Sequence, residues 1–412
     1  MLPLLLLLVA SRTGGAWPMS APPQTLDSAG GPDSVARLTS ARPPRPLMPA
    51  LWSNDYGGVT VGLRGRPTSG DVERGLLVAS AATRGGATSS ISLFGRWGNP
   101  LAGRASRVAT SVAVWSVEGR TGAVIALDHS SPPSGGVGAD RHIGVAALWM
   151  ATTNLGYLDH RLWDDAGSIE IGPRISTVVR HGETVLRAKG AVTLGLVYRH
   201  ATPPVASGRR YHYQGFNRTT GEVSVRTPVG RATTFGARVF AGAYLGPSNP
   251  VRQRRIAVAG ADPYETIADP FLRSRGALLV RPDFHYHAPG GANLRGFRND
   301  LGGRWAVGVN LELMRAVVRH DTGFLREAAL EAFVDLGVVD TLAVPSSPPG
   351  RWYTTLYDGG LGIVTRHEVK GVEWTMRFEL PLAVNRWNLA ADYPANSTRF
   401  ALRWQVSLAP SF

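Results

Sequence analysis

The sequence has 412 residues, 43% of them hydrophobic, with a mean hydropathy of −0.05, so its apolar residues are dispersed rather than gathered in blocks. A membrane-spanning helix needs about 18 consecutive apolar residues, and the longest apolar stretch, Leu2 to Ala10, is shorter than that. The chain has no cysteine, which excludes disulfides and thiolate metal sites and suits a protein that crosses an oxidising compartment.

The net charge of +14 comes almost wholly from arginine, since Lys189 and Lys370 are the only lysines. These arginines alternate with apolar residues instead of forming a block or a helix stripe, so nucleic acid is not the expected partner. Lining a wet barrel lumen or facing anionic lipid headgroups suits them better.

In chain order, Leu2 to Val9 has the length of a signal-peptide core, and the small residues Gly14, Gly15 and Ala16 follow it. Residues 1–16 are therefore expected to be a signal peptide, although no basic residue precedes the apolar run. The alternative is a start inside a longer gene. Residues 17–50, rich in Pro, Ser, Ala and Gly, read as a flexible lead-in. Residues 51–412 are expected to form one barrel domain.

From Gly57 onward the chain breaks into short segments of period-two alternation separated by turn residues. That pattern predicts an all-β fold, a transmembrane antiparallel β-barrel of about sixteen strands. Candidate strands lie near 57–66, 74–83, 88–97, 107–117, 121–130, 142–154, 168–180, 186–200, 208–218, 221–228 and 232–245. Five more lie near 304–317, 326–339, 355–367, 371–384 and 399–412. A soluble sandwich would place the same apolar faces in a core, so alternation alone leaves that fold open.

Several segments invite a chemical reading. Arg180-His181-Gly182-Glu183-Thr184 matches a histidine-phosphatase signature, but no alternation of strands with long amphipathic helices surrounds it, and it reads as a turn between strands. Asp159-His160 with Asp164-Asp165 is a compact group of possible metal ligands lacking a further convergent one, and reads as a solvated turn. His367-Glu368 is followed by Val369, Lys370 and Gly371, so the second histidine of a zincin pair is missing. No cofactor, metal or catalytic residue is expected.

The connection from 246 to 303 is far longer than any other, and loops of that length in compact domains are usually functional. It contains Pro289-Gly290-Gly291-Ala292-Asn293-Leu294-Arg295-Gly296-Phe297. In the strand after it, Gly308, Asn310 and Glu312 share one face against Trp305, Val307, Val309, Leu311 and Leu313. In the next, Glu331, Phe333, Asp335 and Gly337 oppose Leu330, Val334, Leu336 and Val338. Carboxylates on a face turned from lipid need a cation, and a guanidinium binds a carboxylate through paired hydrogen bonds. Arg295 is the expected partner of Asp335, Glu312 or both, with the loop folded into the lumen, Gly296 allowing a tight turn and Phe297 wedged against the wall.

Farther along come Asp358-Gly359-Gly360-Leu361-Gly362 and a strand with Val372, Trp374, Met376, Phe378 and Leu380 opposite Glu373, Thr375, Arg377 and Glu379. The last segment sets Phe400, Leu402, Trp404, Val406, Leu408 and Phe412 against Arg399, Arg403, Gln405, Ser407 and Ser411. An apolar face to lipid and a polar face to a lumen fit both.

Four of these pieces in order resemble the barrel domain of the BamA/TpsB-type superfamily, the bacterial surface antigen family. They are the glycine-led Leu294-Arg295-Gly296-Phe297 in loop six, Asn310-x-Glu312, Phe333-x-Asp335-x-Gly337 and Asp358-x-Gly360-x-Gly362, with five strands after the loop. The likeness is specific over about 230–412 and weaker before. It implies that Arg295 pairs with the lumen carboxylates and that Phe400, Trp404 and a terminal Phe412 act as the signal read by barrel-assembly machinery. Family members that insert or secrete proteins carry periplasmic POTRA modules ahead of the barrel. The residues before 57 are too few for one, so the expected likeness is to the barrel alone.

The expected function is that of a cell outer-membrane barrel, not an enzyme, acting in outer-membrane biogenesis or in transport of protein or other cargo. Its expected partners are outer-membrane lipid, lipopolysaccharide and the assembly machinery. Gly260-Ala261-Asp262-Pro263-Tyr264 with Pro270-Phe271-Leu272-Arg273 resembles barrels fused behind envelope metallopeptidases. An anchor for an enzyme whose catalytic part lies elsewhere is thus one alternative, and a passive pore another.

Overall fold

The structure is a computed structural model. It describes residues 47–410 except 55–57, 66–67, 70–71, 74, 84–90, 100–107, 132–137, 159, 201–210, 248, 265–286, 321, 341–352, 370–371 and 393–396. The expected signal peptide, residues 17–46 of the lead-in, Asp159, Pro270 to Arg273 and Phe412 lie outside the described residues.

The wall begins with β1 (Leu47–Asn54) and β2 (Gly58–Gly65), followed by a small hairpin of β3 (Thr68–Ser69) and β4 (Val72–Glu73). It continues through β5 (Gly75–Ala82), β6 (Ile91–Asn99), β7 (Val108–Val117), β8 (Arg120–Ser131) and β9 (Gly138–Thr152). Next come β10 (Ala166–His181), β11 (Thr184–His200), β12 (Tyr211–Gly230) and β13 (Thr233–Leu245). Inside the long connection, β14 (Ile256–Ala257) pairs with β15 (Gly302–Gly303). The wall resumes with β16 (Trp305–Arg319), β17 (Leu325–Asp340), β18 (Tyr353–Val369), β19 (Val372–Val384) and β20 (Gln405–Pro410). All but β3, β4, β14 and β15 form one antiparallel sheet of sixteen strands in chain order.

The sheet curls round the long connection as a barrel. Tyr264 of that loop belongs to one buried cluster with Val78 of β5, Phe94 of β6, Trp115 of β7 and Val124 of β8, and stacks on Trp163 within it. From the same loop, the His287 N–H donates to the Val406 carbonyl of β20 at 2.8 Å. Strands at opposite ends of the sheet therefore face one inserted segment. The accumulated twist of antiparallel strands provides the curvature.

Alternation sorts the side chains as a barrel requires. On β17, Glu331, Phe333 and Asp335 are buried, whereas Leu330, Val334 and Leu336 are exposed. Exposed aliphatics recur along the wall, including Val61, Leu93, Ile125, Ile171, Leu194, Leu361 and Ile363. An apolar surface of that extent is unusual for a chain bathed in water. Among the described residues no helix is long and apolar enough to cross a membrane.

Two differences from the sequence expectation have opposite effects on the strand count and cancel. The segments near 208–218 and 221–228 are one continuous strand, β12. Arg218, Thr219, Thr220 and Gly221 look like turn residues, yet all four stay in register with β11 and β13. The expected lead-in, in turn, ends in β1, which starts at Leu47 rather than after residue 50. Pro49 sits within β1 opposite Leu63, as the first strand of a sheet tolerates. Within Arg180 to Thr184, Gly182 and Glu183 make the turn between β10 and β11, with Gly182 in the left-handed region at φ +57°.

The last strand is shorter than the expected 399–412. Phe400 forms only an isolated bridge to Ala383, and regular pairing with β19 starts at Gln405. At the break the Arg403 N–H donates to the Ala401 carbonyl two residues back, at 3.1 Å. The Arg403 guanidinium turns inward, donating to Asp392 Oδ1 at 2.7 Å and to the Thr398 carbonyl at 2.6 Å.

Candidate functional site

Loop six enters the barrel as two limbs bonded to one another. The Ala292 N–H donates to the Ala257 carbonyl at 3.0 Å, Leu294 to Val258 at 3.0 Å and Ala261 to Ala288 at 2.8 Å. Gly291 and Asn293, with φ of +52° and +55°, reverse the chain just before the tip. Gly291 is required on two counts, because a Cβ there would also lie 2.4 Å from the Ala257 carbonyl oxygen. Leu294 and Phe297 are buried in a core shared with Phe240, Ala306, Val339, Leu356 and Val384 of the wall.

That reversal delivers Arg295, 1% exposed, onto three strands at once. Its Nε donates to Asp335 Oδ2 and its Nη2 to Asp335 Oδ1, both at 2.8 Å, while its own N–H reaches Oδ2 at 3.1 Å. Nη1 faces Glu379 Oε1 at 2.8 Å, Glu312 Oε1 at 3.1 Å and Glu331 Oε1 at 3.3 Å. The guanidinium lies 3.8 Å from the centroid of the Phe333 ring. Such a fork-to-carboxylate arrangement, with a ring beneath the cation, is a geometry lysine cannot copy.

The carboxylates are held in turn. Arg377 Nη1 donates to Glu331 Oε1 at 2.8 Å and Glu312 Oε1 at 3.0 Å, and Gln405 Nε2 to Glu379 Oε2 at 3.0 Å. Asn310 Nδ2 donates to Asp335 Oδ1 at 2.9 Å and to the Asn293 carbonyl at 3.0 Å, joining wall to loop. Arg238 of β13 completes the frame, with Nη1 on Asn310 Oδ1 at 2.7 Å and Nη2 on the Gly291 carbonyl at 2.6 Å.

Glycines let the tip approach. A Cβ on Gly308 would lie 2.7 Å from the Ala292 carbonyl oxygen, and one on Gly337 would lie 2.6 Å from Leu294 Cδ1. On Gly296 it would meet Val384 Cγ1 at 2.6 Å and Asp358 Cβ at 2.8 Å. A Cβ on Gly360 would strike the Leu380 carbonyl of β19, beside the register shift at Gly359/Gly360, and would also come within 2.8 Å of Phe333 Cζ, the ring that supports Arg295. Gly290 lies against Ala261 of the first limb.

Of the sequence-predicted residues, Leu294, Arg295, Gly296, Phe297, Asn310, Glu312, Phe333, Asp335, Gly337, Asp358 and Gly360 come together here. Phe400 and Trp404 do not. Phe400 is 68% exposed, and Trp404 stacks on Phe378 of β19 with centroids 6.1 Å apart. Alternation sets Glu331, Arg377 and Glu379 on the polar faces of their strands without joining them to Arg295. Alternating Glu and Arg over 373–379 was the available signal. Asp164 accepts from the Arg252 N–H at 2.9 Å. Among the described residues no three acidic or imidazole side chains could together hold a metal ion.

Fold and site define an antiparallel β-barrel whose lumen holds a long loop fastened to the wall through a buried arginine. No family model matches the chain, and no curated protein does. Among solved structures it is similar to CdiB from Escherichia coli, at 12% identity and a TM-score of 0.47, over 90% of this chain and 64% of that one. CdiB from Acinetobacter baumannii matches at 12% identity and 0.41, over 87% of this chain and 57% of that chain. BamA from Haemophilus ducreyi lacking POTRA domains 1-3 matches at 10% and 0.44, over 89% of this chain and 70% of that chain. The chain thus spans less than two thirds of the length of either CdiB chain.

Proposed function

We propose that this chain is an outer-membrane β-barrel of the bacterial surface antigen type, acting in outer-membrane biogenesis or in moving protein cargo across that membrane. The observation that carries this reading is the latch of Arg295 on Asp335, Glu312, Glu331 and Glu379. A barrel wall with an apolar outer face needs no inserted loop for stability in lipid. Placing a buried cation on a loop tip among wall carboxylates invests stability in the loop's position, as a protein that controls passage through its lumen requires. The outer aliphatic band is read as the lipid-facing surface, with lipid, lipopolysaccharide and the barrel-assembly machinery as partners.

A simple passive pore fits less well, since loop six is bonded to wall strands from β10 to β20. Two measurements test the reading. Purified in detergent, the protein is expected to give a β-type circular dichroism spectrum and to migrate differently on gels before and after boiling; a helix-rich spectrum overturns the barrel. In cells, loss of the gene is expected to deplete outer-membrane or secreted proteins, restored by the wild-type gene but not by Arg295→Ala. An unchanged envelope and secretome would leave the pore or the enzyme anchor as the better account.

A further inference from the structure

Loop six is held at a second place, on its first limb, by residues the latch does not use. The limb forms a short 3-10 turn at Arg252–Arg254 after leaving β13. Arg254, 2% exposed, donates from Nη2 to Glu170 Oε2 of β10 at 2.6 Å. Its guanidinium also lies over the Tyr264 ring, 4.4 Å from the centroid. Ser168 Oγ joins the two partners, 2.7 Å from Glu170 Oε1 and 2.9 Å from the Tyr264 hydroxyl. Burial, with Glu170 beside it, holds the Tyr264 phenol above its ordinary range, so the ring stays neutral beneath the arginine. Asp262 extends the node to β12, accepting from Arg218 Nη2 at 2.7 Å.

This node and the latch share one design and sit on different walls. Each brings a loop guanidinium, almost fully buried, to a wall carboxylate with an aromatic ring beneath the cation. Arg254 faces β10, with Asp262 beside it tied to β12, whereas Arg295 faces β16, β17 and β19. The limbs carrying them are cross-bonded at 257–261 and 288–294, so they move as one body. While either anchor holds, that body stays in the lumen.

We propose that loop six is a strut fixed by two independent arginine anchors, and that Arg254 is a positioning residue whose release together with that of Arg295 is needed to clear the lumen. This rests on the membrane-barrel reading above. Since buried ion pairs on separate walls share no partner, their release is expected to be synergistic in function even where their stability effects add.

The test uses the full chain in planar bilayers, after the gel shift on boiling has established that each variant is a folded barrel. Arg254→Gln and Arg295→Gln are each expected to give only brief openings, and the double variant a sustained conductance about tenfold or more above the larger single effect. A double variant indistinguishable from Arg295→Gln, or full opening by Arg254→Gln alone, overturns the strut. Should Arg254→Gln fail to fold, the chain's lack of cysteine allows a gentler probe. Ala259→Cys, at a site 2% exposed, is expected to react with a water-soluble maleimide several-fold faster when Glu170→Gln, which discharges the partner of Arg254, is combined with Arg295→Gln than with Arg295→Gln alone. An unchanged rate overturns the second anchor. If no variant, nor the wild type, shifts on boiling, the barrel reading itself fails.

Discussion

Arg295 and Asp335 meet through three hydrogen bonds, two from the guanidinium and one from the arginine's own backbone N–H, with neither side chain more than 1% exposed. The backbone bond fixes the loop tip itself to β17, so the pair positions a segment of chain as well as neutralising two charges.

Breaking this pair from either side should therefore release the tip. A buried ion pair that loses one partner costs about 3–5 kcal/mol, because the other charge is stranded. Arg295→Ala and Asp335→Ala are each expected to lower the unfolding temperature and expose the tip to added protease. The double variant should cost less than the sum of the two, since either substitution alone already removes their shared bonds, while Glu312, Glu331 and Glu379 keep Arg377. Silent or strictly additive single substitutions would sink the latch.

Gly308→Ala tests close approach without touching a charge. The added Cβ would lie 2.7 Å from a backbone oxygen and 2.8 Å from Ala292 Cβ, neither of which can swing aside. Overpacking of this kind costs about 1–3 kcal/mol, and the expected outcome is a lower melting temperature with the barrel retained. Gly221→Ala on β12, where a Cβ would meet nothing within 4 Å, is the control. Equal melting temperatures for the two variants would show that the tip yields freely.

Arg403→Ala addresses the end of the sheet. Arg403 and Asp392 are both buried and bonded at 2.7 Å, so the substitution takes a buried guanidinium from Asp392, a loss of at most about 3–5 kcal/mol. Because the lost contacts lie beside the start of β20, amide exchange is expected to quicken at Gln405 to Ser407 well before it does on β17. Uniform protection across both strands would disprove a local role.

Much of the wall was legible because a barrel obliges each strand to alternate, and residues such as Glu331, Phe333 and Asp335 announce their face by their neighbours. The Arg295 site was legible for a similar reason: a cation on a long loop and carboxylates on an inward face need one another. Strand ends were less legible where a wet interior accepts what a soluble core would refuse. Arg218 to Gly221 runs through the middle of β12 because Arg218 and Thr220 can face the lumen, and Pro49 is admitted to β1 at the start of the sheet. The Arg254 node left no local trace. Glu170, Arg218 and the limb that carries Arg254 and Tyr264 are far apart in sequence, and only the entry of that limb into the curled sheet brings them together.

The glycine cradle at the tip has a consequence for how such a sequence can drift. Gly308 is shaped by Ala292, Gly337 by Leu294, Gly296 by Val384 and Asp358, and Gly360 by Phe333. At Gly337 and Gly296 the nearest atoms belong to side chains, so a larger residue there is tolerable only if Leu294, or Val384 and Asp358, shrink in the same lineage. At Gly308 and Gly360, by contrast, a backbone oxygen is nearest and no partner substitution makes room. Changes at Gly337 and Gly296 should therefore arrive in compensating couples while Gly308 and Gly360 stay fixed, a pattern of inheritance that ties the loop tip to β16, β17, β18 and β19.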